Sequence, residues 1–587
     1  MSQIELQNSD LRSKLLDWNP QLFREIKGKF KTTNVVIAAA VSVIVQFIAV
    51  ISLLGKLPDF ESTDSMLYGR YGMGIIFRVG NTGETYYTQN SVGDWIINWQ
   101  LLWLDLFIVL SFIATTSLLV VGTYMLIADM MQEQNCGTLN FIRQTPQSAH
   151  NILLGKALGV PILLYVSILL LFPLHLVSGI EAQVPLMLIL GFDLAVVASC
   201  ALFYSAALLW GLTNFKLSGF KPWFASGLVG LFLFVVGVVL FDGSHIYLSQ
   251  LSSWLLLFNP NFVLSYIIDA AHLPDDKYHF MAIADLAELK FYGQTLWSDA
   301  KTGIGFILAN FILWSYWCWS ILQRRFHNPE STLLGKIQSY WITGWFTVLA
   351  LGFTIQSYFA IDPPLLSEQN SIFDSSSLAA NFFTLNFSLL ILGLILIAGL
   401  SPHRQALHDW ARYRHQTTSN KVWQELIWGE NSPATVAIAI NMMAAVIFII
   451  PSIFLLLDPQ ERYVAWGFWL IAGTITLYAA IAQSILLLKT NKRGVWSVIV
   501  LGSMMLVPPV GLSLAEIAPK ALPVAWLASI LPAVAIEHAT LPTLIFTVVG
   551  QWLGIALIGF QTTRKLQRAG ASETKMLFER NRAVGNP

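Results

Sequence analysis

The sequence predicts an all-α fold: a polytopic helical membrane protein of about twelve transmembrane helices in two six-helix repeats, with short cytoplasmic helices besides. Three observations carry that reading. Hydrophobic residues make up 55% of the 587 and charged residues only 12%, against about 25% charged in a soluble domain. Apolar runs long enough to cross a bilayer recur along the whole chain, and the mean hydropathy is +0.61. The basic residues, finally, are sorted between alternate loops.

The elements follow in order. Residues 18–31 (WNPQLFREIKGKFK) carry Leu22, Phe23, Ile26 and Phe30 at helical spacing, with Arg24, Lys27, Lys29 and Lys31 mostly elsewhere. Such a helix lies in the inner headgroup layer and fixes topology. A crossing helix needs about 20 apolar residues, at about 1.5 Å rise each and about 30 Å of hydrocarbon. Runs of that kind fall at 35–54, 103–128, 152–178, 185–212, 224–241 and 302–322, then at 341–360, 377–400, 433–457, 463–488, 495–515 and 541–562. Two further apolar stretches, 254–268 and 523–536, are broken by Asn259-Pro260 and by Pro532. They read as re-entrant or interfacial helices on the outer side, which protein must cover.

With the N-terminus placed inside, the inner segments hold 26 Lys and Arg and the outer segments 8. Both termini are therefore expected in the cytoplasm. The polar first 32 residues show no removable signal peptide. Three scattered cysteines, Cys136, Cys200 and Cys318, have neither metal spacing nor the even count of a disulfide framework. Acidic and basic residues each total 34, so net charge points to no partner and to no nucleic acid.

The order of features repeats. Each half reads as a basic amphipathic segment opening with Asn-Pro, six spans, a long inner loop after the second, and a broken apolar stretch before the last. The expected domains are 1–325, 326–566 and a polar cytoplasmic tail at 567–587. Six spans per half make this a parallel repeat about an axis along the membrane normal, which suits a pathway between the halves.

The inner loop after the second span carries Glu133, then Gly137-Thr138-Leu139, then Pro146-Gln-Ser148, then Ile152-Leu-Leu-Gly155-Lys156. A short amphipathic helix at 138–143, held between Gly137 and Pro146, is expected here. This order resembles the type 2 exporter permeases of the ABC superfamily, as do Asn19-Pro20 and the elbow-like helix behind them. The resemblance implies ATPase-coupling roles for Glu133, Gly137, Thr138, Leu139, Pro146, Gly155 and Lys156. Glu133 is expected to cap a helix start or meet a base on an ATPase, and Lys156 to snorkel to inner phosphates. The second half keeps only Glu430, Ser432 and Pro433 of the pattern, so its contact is expected to be weaker or differently built.

No phosphate-cradling loop is present: the four Gly-Lys pairs precede Phe, Leu, Ala and Ile and lack the upstream glycine. The chain is thus expected to have no cofactor and no enzymatic activity of its own. ATP would sit in separate cytosolic ATP-binding cassette subunits, with membrane lipid as the surroundings. Charges within spans are costly and point to function: Asp193, about 13 Å into its span by helical rise, is the leading pathway residue, read either as lining a polar cavity or as a protonated or paired structural carboxylate, and Asp105 the next, read also as an outer-interface residue. His175 reads as interfacial, while Asn310, Asn386, Asn441, Gln483 and Gln551 read as helix–helix hydrogen bonders. The outer aromatics Trp95, Tyr278 and Trp297 read as interface anchors. An ion-coupled transporter of twelve spans and a non-transporting membrane scaffold stand as alternatives to the exporter permease in the cell membrane.

Overall fold

The computed structural model of the chain describes residues 17–57, 71, 74–79, 82–87, 96–213, 218–241, 251–271, 289–355, 371–416 and 422–584. It is an all-α polytopic protein, and among the described residues eleven helices are long and apolar enough to cross a membrane. The chain forms two compact units, one built from residues 1–248, 252–289 and 295–327, the other from 249–251, 290–294 and 328–587.

In the first unit, α1 (Pro20–Lys29) is capped by the Asn19 side chain, which accepts from the Leu22 amide, with Pro20 at the first helical position. Next come α2 (Thr32–Leu54) and a hairpin of β1 (Gly74–Val79) and β2 (Thr82–Tyr87). The second span, Trp99–Asn135, is α3 (Trp99–Thr116) and α4 (Gly122–Asn135), joined by a π turn at Ser117–Val121. After it stand α5 (Thr138–Arg143) and α6 (Ala149–Gly159), then the spans α7 (Ile162–Glu181), α8 (Leu186–Leu212) and α9 (Lys221–Phe241). The broken stretch forms α10 (Ser253–Leu256) and α11 (Phe262–Ala270), and the unit ends with α12 (Ala300–His327).

Spans meet through small polar residues, which let helix backbones approach. The Ser42 hydroxyl of α2 donates to the Ser167 carbonyl of α7 (2.8 Å), and the Ser167 hydroxyl returns the bond to Ala38 (3.1 Å). The Asn310 side chain of α12 accepts from Trp254 of the broken stretch (3.2 Å).

The second unit comprises α13 (Lys336–Thr354), α14 (Ser371–Leu400), α15 (Arg404–Gln416), α16 (Val422–Trp428), α17 (Thr435–Leu456), α18 (Val464–Leu486) and α19 (Arg493–Leu514). The broken pair α20 (Pro523–Leu527) and α21 (Ala533–Ile536) and the long α22 (Leu541–Val584) complete it. Asn441 and Gln551 bond to Ser339 and Thr474 of neighbouring helices, each at 3.0 Å.

The expected span at 341–360 overlaps α13, which ends at Thr354; 356–360 lie outside the described residues, and α13 is not among the eleven counted there. One expected boundary needs correction. The third span starts at Ile162 rather than 152, because the run divides at Val160-Pro161 and leaves α6 separate. The tail from 567 continues α22 as helix to Val584. Trp95 and Tyr278 lie outside the described residues, and Trp297 packs on Phe262 and Tyr266 of α11.

Candidate functional site

The loop after the second span of the first unit builds the site. Helix α4 ends at Asn135, and the chain reverses at Gly137, whose φ of +73° is the left-handed conformation that side chains with a Cβ disfavour. Helix α5 follows at once. Leu139 and Ile142 are buried in one cluster with Leu126, Met130, Leu153, Leu208 and Phe326, so α5 shares a core with α4, α6, α8 and α12. Phe141 points the other way and is 74% exposed. Thr138 donates its hydroxyl to the Glu133 carbonyl (3.2 Å), Pro146 is an exposed turn residue, and Ser148 caps α6 by accepting from the Asn151 amide.

Helix α6 is the seat of the elbow α1. A Cβ on Gly155 would stand 2.8 Å from the Asn19 side-chain oxygen and the Leu22 amide, and one on Gly159 would stand 2.5 Å from Cβ of Glu25. The two glycines, four residues apart on one helix face, leave α1 room to lie against α6. Asn19 then donates to the Asn151 carbonyl across the seam (2.7 Å).

Beside Gly155, Lys156 is fully buried. Its ammonium stands 2.6 Å from Asp129, 2.8 Å from Glu133 and 3.7 Å from Glu25. Arg24 pairs with Glu133 and Glu25, and Lys29 with Glu25 (3.2 Å). Burial works against the Lys156 charge, yet Asp129 and Glu133 outweigh it and hold its pKa above the usual lysine range. Burial likewise works against Glu25, and the Lys156 and Lys29 ammoniums hold it below the usual carboxylate range. The three carboxylates offer oxygens within 4.8 Å of one another, a spacing that suits a cation; the cation among them is the Lys156 ammonium.

This corrects two expectations. Lys156 does not reach towards lipid phosphates, because three carboxylates take its charge inside the protein. Glu133 is committed to Arg24 and Lys156 rather than free to cap a helix. Glu25, Asp129 and Gly159 escaped the sequence reading. Only the Gly155–Gly159 spacing could have signalled the seat.

In the second unit the matching residues are arranged differently. Lys336 is buried, and its ammonium donates to the Leu426 carbonyl (2.6 Å), the Ser432 hydroxyl (2.6 Å) and the Pro433 carbonyl (3.3 Å). Burial pushes its pKa down to about 8. Glu425 accepts from Trp410 (3.0 Å) and Arg414 (3.1 Å), which ties α16 to α15, while Glu430 is exposed. Trp423 and Trp428 of α16 are also exposed.

The intramembrane carboxylates have separate partners. Asp193 lies 3.3 Å from His175. His175 is buried rather than interfacial, stacked on Phe107 with centroids 4.5 Å apart and close to Ser111 (3.5 Å). Asp105 is buried and accepts from the hydroxyl of Tyr71 (2.8 Å), which fastens a residue of the loop before the second span to α3.

Comparison of the chain with family models, curated proteins and solved structures finds no match.

Proposed function

We propose that this chain is the membrane permease of an ATP-driven exporter, which moves its substrate outward when cytosolic ATP-binding cassette subunits grip it from the cytoplasmic side. The termini then face the cytoplasm of the cell membrane, an orientation that the distribution of Lys and Arg supports. The observation that carries the reading is α5: a six-residue helix rooted by Leu139 and Ile142 in the core of four longer helices, with Phe141 presented outward. A force applied at such a helix moves the helices that share its core, since close-packed interiors transmit displacement. The elbow α1, charge-locked to α4 and α6 through Lys156, travels with them. The second unit offers α15 and α16 with Trp423 and Trp428 for the same purpose.

The test mixes the purified chain with ATP-binding cassette subunits encoded beside it and follows association and ATP hydrolysis. Burial of one Phe side chain contributes about 1.5–3 kcal/mol. Phe141→Asp should therefore weaken association by about ten- to a hundredfold and leave membrane insertion unchanged. Undiminished association, or no association in the unaltered chain, would remove the assignment.

A second reading, an ion-coupled transporter, is favoured by one observation: the pairing of buried His175 with half-buried Asp193 inside the spans. Substrate movement driven by an ion gradient with no ATPase present, abolished by Asp193→Asn, would establish it in place of the first.

A further inference from the structure

Within the first unit lies a cavity of about 810 Å³, walled by α6, α7, α8 and α12. It is at the upper end of the range of about 300–1,000 Å³ in which small-molecule sites fall. Its rim carries Leu169 of α7, Val197 of α8, and Ile312 and Tyr316 of α12, all exposed and all on helices apolar enough to cross the membrane. Exposed aliphatic side chains along a spanning helix face lipid, so the mouth of this cavity opens into hydrocarbon. Water-borne ligands have no route to it from that side.

Its floor makes little polar demand. The Tyr165 hydroxyl donates to the Ala157 carbonyl (2.9 Å), Tyr204 to the Leu118 carbonyl in the π turn (2.9 Å), and Ser205 to the Leu202 carbonyl (2.8 Å). Of the buried lining hydroxyls, only Ser315 lacks a partner among the described residues. An apolar guest therefore displaces no hydrogen bond, whereas a polar one finds almost none to make.

One end differs. His150 of α6 lines it, accepting from Trp319 (3.1 Å) with Gln323 also 3.1 Å away. One turn further along α12, the Arg143 guanidinium lies over the Phe326 ring, 5.4 Å from its centroid. Burial first, and then the charge of neighbouring Arg325, push the Arg143 pKa down. The Arg143 guanidinium thus brings positive charge close to the His150 end of the cavity, where an anion would favour it.

We infer that this cavity seats one acyl chain of a membrane phospholipid, with an anionic headgroup at the end marked by His150 and Arg143. The inference requires only that the chain lies in a bilayer, and it stands or falls independently of the ATPase reading.

The test uses the full chain in nanodiscs of phosphatidylcholine and phosphatidylglycerol, with a trace of phosphatidylglycerol carrying a photoactivatable diazirine on one acyl chain. After illumination, labelled peptides are mapped by mass spectrometry. Labelling should concentrate on Leu169, Val197 and Tyr316, above the level on the exposed Val41–Ile48 face of α2, which reports lipid surrounding any span. Ala201→Trp, which fills the cavity, should cut cavity labelling at least tenfold and spare the α2 face. Arg143→Gln should reduce the advantage of a phosphatidylglycerol probe over a phosphatidylcholine probe by at least threefold. Labelling no denser in the cavity than on α2, in the unaltered chain alone, means surrounding lipid only and overturns the inference, as does labelling that Ala201→Trp leaves intact. Equal labelling by the two probes overturns the headgroup assignment.

Discussion

The two units solve one problem in opposite ways. Each holds a neighbouring segment against a helix with a buried lysine that follows a glycine, Lys156 in the last turn of α6 and Lys336 at the start of α13. Lys156 is met by three carboxylates, and Lys336 by two carbonyls and a hydroxyl. Attraction therefore raises the first pKa despite burial, while burial lowers the second to about 8. The first arrangement is a charge lock, in which loss of either sign leaves buried charge uncompensated. The second is a hydrogen-bonded clip that its lysine can hold without a charge.

The largest expected effect follows from that asymmetry. Lys156→Met leaves Glu25, Asp129 and Glu133 facing one another, and breaking a buried charge set costs about 3–5 kcal/mol. Hydrogen exchange should show α1 released from α6. Lys336→Met removes bonds worth about 1 kcal/mol each but also a buried charge, so exchange in 422–433 should rise far less. Equal effects in the two units would erase the comparison.

A smaller effect is expected from Gly155→Val, whose side chain meets the Asn19 oxygen and the Leu22 amide. A disulfide engineered between α1 and α6 should then form at least tenfold more slowly. Gly344→Ala in α13, where a Cβ meets nothing within 4 Å, should leave the second unit unchanged or slightly stabilised.

The smallest effect is one of pH. Lys336 binds its proton less tightly folded than unfolded, so between about pH 8 and the unfolded value near 10.5 the opened clip holds more protons and the closed clip gains stability as pH rises. Lys156 is shifted upward, so its contribution is fully present below 10.5 and is lost only as pH climbs through its higher folded value. From pH 7 to 10, exchange corrected for intrinsic rates should slow in 422–433 and stay level in α1 and α6. Loosening of α1 in that window would contradict the charge lock.

Much of the architecture was legible because hydropathy reports on the lipid environment residue by residue. Eleven helices and both broken stretches stand where apolar runs and Asn259-Pro260 or Pro532 put them. Helix α5 occupies 138–143, since Gly137 and the turn around Pro146 are local signals. The charge lock was not legible. Glu25 and Asp129 are more than a hundred residues apart in sequence, and no local pattern records that folding brings both to Lys156. The same holds for His175, whose neighbours Phe107 and Asp193 come from other spans.

The most direct trial of the account places a photo-crosslinking amino acid at position 141 in the chain expressed in its own membrane. The account predicts an adduct with a cytosolic nucleotide-hydrolysing protein, weakened when Lys156→Met releases α1. Adducts formed only with lipid or with proteins on the external face would contradict it.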